Sequence, residues 1–166
     1  MRDAGSGHAT TTNTIRQVGW AAGAIVLIFD ILKGFVPTLL ALRFSQHYWA
    51  VPLAATFAVV GHCWPLFAQF RGGMGLATTG GCLLALTLVP SLIVLAVLIT
   101  LTLIIKHSAR AALFTGVLIG PIFYFVGERG QILFAAIGVG IVIAVRFFSD
   151  WRREYRELWL DRGEKE

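Results

Sequence analysis

GHCWPLFAQFRGGMGLATTGG, residues 61–81, lies between two strongly apolar runs and decides how the chain is laid out. It sets a histidine, a proline and an arginine beside a cluster of glycines. Gly72, Gly73 and Gly75 strip side chains from the backbone, so successive N–H groups can turn toward one oxyanion. Arg71 adds a fixed cation suited to phosphate. The apolar run that follows can present a helix N-terminus to the same anion. The loop reads either as a phosphate cradle at a membrane surface or as a tight re-entrant turn between two membrane helices.

Composition brings in the membrane. Of 166 residues, 57% are hydrophobic and 14% charged, and the mean hydropathy is +0.75. A single water-soluble core does not need that much apolar residue, and long apolar runs read as spans. One domain, residues 1–166, is expected at this length. The formal charge of +5 would suit nucleic acid. The basic residues, however, lie between and after apolar runs, the distribution of a membrane protein, so nucleic acid is set aside as a partner. Cys63 and Cys82 have no metal-type spacing and read as small apolar fillers. No metal and no other cofactor is expected.

The chain begins with a polar loop over residues 1–17, rich in glycine and hydroxyls, which is the opposite of a signal-peptide core. A span over residues 18–42 follows. It contains Asp30 and Lys33, three apart on one helix face, where they can pair. Ionisable groups inside a span are costly and face a protein interior or a wet cavity. They read as functional, against a plain structural ion pair. Pro37 frees a backbone carbonyl and is expected to kink this helix. Tyr48 and Trp49 fall at interface depth, and residues 50–69 form the second span. The apolar run from Leu76 to Ile105 is long for one bilayer crossing, and Pro90-Ser91 is expected to break it into a hairpin. Residues 111–126 and 131–148 are further spans, joined by a Gly127–Gly130 turn. Together residues 18–148 form the transmembrane bundle, and residues 149–166 an amphipathic tail in the interface. In the tail, Trp151, Tyr155, Leu158 and Trp159 recur at helical spacing among arginines.

Charge decides whether the 76–105 stretch crosses once or twice. A single crossing leaves 4 basic residues on the N-terminal side and 9 opposite; a double crossing leaves 11 and 2. The second split fits the positive-inside rule far better. The expected fold is therefore an all-α, polytopic helical bundle of about six spans. The N-terminal loop, the glycine loop and the tail share its cytoplasmic face. Two glycine- and hydroxyl-rich loops with Arg16, Arg71 and Lys33 on one face suit a small phosphorylated substrate.

Three stretches resemble the acyl-phosphate-dependent glycerol-3-phosphate acyltransferases, the PlsY family. Gly5-Ser6-Gly7-His8-Ala9-Thr10-Thr11-Thr12-Asn13-Thr14-Ile15-Arg16 is similar to the family's GSGNxGxTNxxR. Asp30-Ile31-Leu32-Lys33-Gly34 is similar to its DxxKG. Residues 61–78 resemble its GHxFPxFxxFKGGKGVAT. The order and spacing agree, and the apolar pattern continues to about residue 148.

The resemblance implies transfer of a fatty acyl group from acyl phosphate to the sn-1 hydroxyl of glycerol 3-phosphate. The product would be lysophosphatidic acid, an intermediate of phospholipid synthesis at the inner membrane of a bacterial cell. It implies a seven-span protein with a cytoplasmic site and no metal. Acyl phosphate already carries a good leaving group, so the protein must supply positioning and charge stabilisation. Ser6, His62 and Lys33 are the candidate catalytic residues. Gly5, Gly7, Thr12, Asn13, Arg16, Asp30, Arg71, Gly72, Gly73 and Gly75 are the candidate phosphate- and substrate-binding residues. His62 would orient or deprotonate the attacking hydroxyl; the plainer role is capping its own turn.

Departures from the family pattern are specific. His8 replaces an asparagine, Thr10 a glycine and Met74 the second lysine of KGGKG, and the tail lacks an asparagine. The family's first span has no counterpart, as a mis-assigned start or a truncation at Met1 would give. These departures keep a second reading open: a catalytically degenerate relative that binds membrane lipid or a partner membrane protein, with a homo-oligomer as one form of such an assembly.

Overall fold

The computed structural model describes residues 11–151. Residues 1–10 and 152–166 lie outside it, and with them most of the tail. The described residues form seven helices. These are α1 (Thr11–Val18), α2 (Trp20–Phe44), α3 (Ala50–Cys63), α4 (Leu76–Leu86), α5 (Leu88–Ile105), α6 (Ser108–Val126) and α7 (Gly130–Phe148). There is no strand among them. Five segments are long and apolar enough to cross a bilayer, and α4 is a shorter apolar helix. The six expected membrane segments are thus five full-length candidates and one short one.

Two boundaries differ from the sequence expectation. Part of the polar N-terminal loop is helical, because α1 lays Ile15 against Gly23 of α2. The long apolar run breaks at Thr87, not at Pro90-Ser91. Thr87 is extended (φ −157°, ψ 144°) between α4 and α5. Pro90 sits in the first turn of α5, where its missing N–H has no helical partner to lose. The Ser91 hydroxyl returns to the Thr87 carbonyl and satisfies it at the break. Pro37 lies inside α2, which continues past it, and the Thr38 hydroxyl donates to the Gly34 carbonyl at 2.8 Å.

The bundle is apolar outside as well as inside. Phe29, Phe57, Ile104 and Phe125 are exposed, whereas Val59, Leu83, Ile119, Phe123 and Val139 form the core. Such a surface suits hydrocarbon, where apolar burial no longer drives helix association and close packing of small residues does. α2 and α4 show this. A β-carbon at Gly34 would stand 2.0 Å from the Thr78 carbonyl oxygen, and one at Gly81 would stand 2.0 Å from that of Ile31. The two backbones meet there, and this crossing carries the Asp30 segment of α2 to the glycine loop that precedes α4. Cys63 and Cys82 are free and buried as expected, with the Cys82 thiol directed at the Ala55 carbonyl. Tyr48 and Trp49 are half-exposed and stack edge-on with each other beside Phe134.

Gly81→Ala should therefore cost about 1–3 kcal/mol and lower the melting temperature in detergent. Gly80→Ala, at the neighbouring position with open space around it, should not. Equal tolerance of both substitutions would refute the α2–α4 crossing.

Candidate active site

The site is built where α3 ends. Pro65 disfavours helical backbone at Trp64, which leaves the helix at φ −132°, ψ 64°. A single tight turn over Leu66–Ala68 follows, and then Gln69 and Phe70 both take left-handed backbone (φ 55° and 59°). Two consecutive side-chain-bearing residues in that region store strain, and such strain gathers at binding sites. The chain then turns back on α3. The Gly72 N–H donates to the Cys63 carbonyl and the Gly73 N–H to the His62 carbonyl, each at 3.2 Å. Gly72 has to be glycine, since a β-carbon would stand 2.1 Å from the His62 carbonyl oxygen. Gly75 (φ 84°) starts α4, and a β-carbon there would meet the Cys63 sulfur at 2.7 Å.

This corrects one expectation about the cradle. The amides of Gly72 and Gly73 do not turn inward on an anion; they are spent on the last carbonyls of α3. The donors that the fold leaves beside the loop are the first N–H groups of α4, at Leu76, Ala77 and Thr78, which no helix supplies with partners.

The carboxylate of Asp30 is the polar centre. It is buried, lies 2.8 Å from Lys33 Nζ and lies 3.5 Å from His62 Nδ1. The Asp30–Lys33 pairing expected from spacing is present, with the burial reversed. Asp30 is the buried member, and the Lys33 side chain is 57% exposed. Asp30 therefore partners two cationic or proton-bearing groups and is not itself placed to bind phosphate, which its charge would repel. The His62 side chain is 9% exposed. Nδ1 is the edge of the imidazole turned to Asp30, and Nε2 is the opposite edge.

Arg71 is exposed on the loop, Thr12 is exposed on α1, and Asn13 is buried where α1 meets the bundle. Gly5, Ser6 and Gly7, with His8, lie outside the described residues, as does the side chain of Arg16. One residue that sequence reasoning passed over belongs here. Arg146, in the last turn of α7, is buried and donates from Nε to the Gly73 carbonyl at 3.4 Å. Its signal was a charge inside an apolar helix, the same signal that drew attention to Lys33. An apolar groove of 120 Å³ adjoins the start of α4. Leu76, Thr79 and Leu83 of α4 face Ser91, Leu95 and Leu98 of α5 across it.

Comparison with known proteins supplies the family. Residues 1–157 match the family model described as glycerol-3-phosphate acyltransferase. The chain belongs to that family. A glycerol-3-phosphate acyltransferase of Listeria monocytogenes is 35% identical over 172 aligned residues, covering 99% of this chain and 81% of the relative. One from Rubrobacter xylanophilus is 34% identical, covering 98% and 79%. The solved structure of PlsY, an integral membrane glycerol 3-phosphate acyltransferase in its glycerol 3-phosphate form, superposes with a TM-score of 0.80. It is 30% identical over 92% of this chain and 76% of its own. A second PlsY structure, in the lysophosphatidic acid form, gives 0.79 at 30% identity over 89% and 76%. This acyltransferase is a multi-pass membrane enzyme that acylates glycerol 3-phosphate to lysophosphatidic acid. Family membership speaks for the enzyme, one of the two readings that the sequence departures had left open.

The clamp between the loop and α3 has a direct test. Gly72→Ala should break both backbone hydrogen bonds and lower turnover by about 10²-fold. Gly61→Ala, at the position just before His62 on α3 with nothing near its β-carbon, should leave turnover unchanged.

Proposed function

We propose that the acyl donor is acyl phosphate and that the reaction proceeds by direct attack, without an acyl-enzyme. The sn-1 hydroxyl of glycerol 3-phosphate attacks the acyl carbonyl, the bond from acyl carbon to phosphate oxygen breaks, and inorganic phosphate leaves. His62 Nε2 receives the hydroxyl proton. Asp30 fixes the tautomer and offsets the imidazolium charge, as a buried carboxylate does for a general base. Lys33, Arg71 and the N-terminus of α4 stabilise phosphate charge. Ser6 and Asn13 donate to phosphate oxygens and Arg16 neutralises them, with Gly5, Gly7 and Thr12 shaping the same N-terminal motif. The donor's first methylenes lie in the groove between α4 and α5. The site faces the cytoplasm at the inner membrane, the orientation that puts 11 of the 14 basic residues on that side. The single observation that carries this reading is the contact of His62 with buried Asp30, immediately beside the turn at Gly73.

Purified protein in lipid nanodiscs, given glycerol 3-phosphate with either acyl phosphate or acyl-CoA, tests the donor. Lysophosphatidic acid should form with acyl phosphate alone. Product from acyl-CoA alone would overturn the donor assignment, and none from either would favour a lipid- or partner-binding role. Ser6→Ala and Lys33→Ala should each reduce transfer by at least about 10²-fold, with the protein still folded in the membrane. Full activity in both would sink the site assignment.

Asp30→Asn and His62→Gln should each lower kcat by about 10²–10⁴-fold. The double variant should lose little more than either alone, because the two groups act as a unit. Multiplicative losses would separate them.

A further inference from the structure

Gly73 is held on both sides. Its N–H is tied to the end of α3, and its carbonyl accepts from Arg146 of α7, 73 positions later. The other described partners of that guanidinium are Ser149 Oγ at 3.2 Å and Asp150 Oδ1 at 3.7 Å. The Asp150 contact is too long for a hydrogen bond, so the ion pair does not by itself account for the burial of a cation in an apolar helix. Such a charge is costly there and marks a function by default. Arginine's rigid fork can hold a carbonyl and still present charge on another edge, which a lysine ammonium cannot do with the same geometry.

A trans peptide points the carbonyl of one residue opposite to the N–H of the next. By holding the Gly73 carbonyl toward α7, Arg146 fixes the plane of the peptide that joins Gly73 to Met74. Gly75 then turns the chain into α4. That plane is one constraint on where α4 begins, beside the packing of α4 against α2. Met74 itself is buried and carries no charge, so the loop's own cation is Arg71 alone, and Arg146 brings a second from across the bundle.

We infer that Arg146 is a positioning residue for the phosphate site: it locks the Gly73–Met74 peptide, aims the α4 N-terminus at a phosphate monoester and adds positive charge behind it. The inference rests on the proposed acyl-transfer reading for which phosphate is bound, the acceptor's or the donor's.

The test uses the full chain in nanodiscs with Arg146→Gln and Arg146→Lys. Arg146→Gln should raise the KM for glycerol 3-phosphate or for acyl phosphate by about tenfold with a smaller change in kcat, and the substrate affected identifies the phosphate. Arg146→Lys should recover part of the loss. Inorganic phosphate should raise the melting temperature of the wild-type protein and not that of Arg146→Gln. A fall in kcat with both KM values and the phosphate-induced shift unchanged would reduce Arg146 to a structural ion pair and overturn the inference. A wild-type protein that is stabilised by phosphate but transfers no acyl group would refute the acyl-transfer reading alone, and the phosphate-induced shift would still judge Arg146. No phosphate-induced shift in the wild-type protein would overturn the phosphate site itself.

Discussion

The two backbone hydrogen bonds from Gly72 and Gly73 to the last carbonyls of α3 hold the site together. The end of a helix leaves carbonyls without partners, and inside a membrane no water is available to satisfy them. The loop meets that need. In doing so it is brought against His62, and His62 is brought against Asp30. The same contact fixes where α4 starts, so the histidine, the carboxylate and the helix N-terminus are placed by one local constraint.

Asp30 sits at the other end of this arrangement. A carboxylate out of water is stable only with partners, and here it has Lys33 on its own helix and His62 on α3. The backbone contact at Gly34 and Gly81 keeps α2 tight against α4, so this charge cannot drift from the loop. Small residues let α2 and α4 approach, while Asp30 finds its partners on α2 itself and on α3.

Much of this was legible in the sequence. Helical segments, the Asp30–Lys33 pair and the importance of residues 61–81 follow from apolar run length, spacing three apart on a helix and clustered glycine. The rest depended on distances along the chain that composition does not encode. Glycine richness at 72–75 shows that backbone N–H groups are accessible, not whether an anion or a helix end takes them; here α3 takes two. Pro90 looked like the break because proline disrupts helix interiors, yet in a first turn it is tolerated, and Thr87 bends instead. Arg146 resembled the other membrane-flanking arginines, because its partner Gly73 is reached only after the bundle closes.

The break at Thr87 also sets α4 beside α5. The groove runs between Leu76 on α4 and Leu98 on α5, positions equally far from Thr87 along the chain. The start of α4 and Leu98 thus line one groove. α5 continues to Ile105, two further turns, or about 10 Å at 1.5 Å per residue. The groove between α4 and α5 is lined mainly by apolar side chains. A lining of that kind suits an acyl chain and offers bulk water few partners. Where water is scarce, an activated acyl group is protected from hydrolysis until the intended hydroxyl arrives.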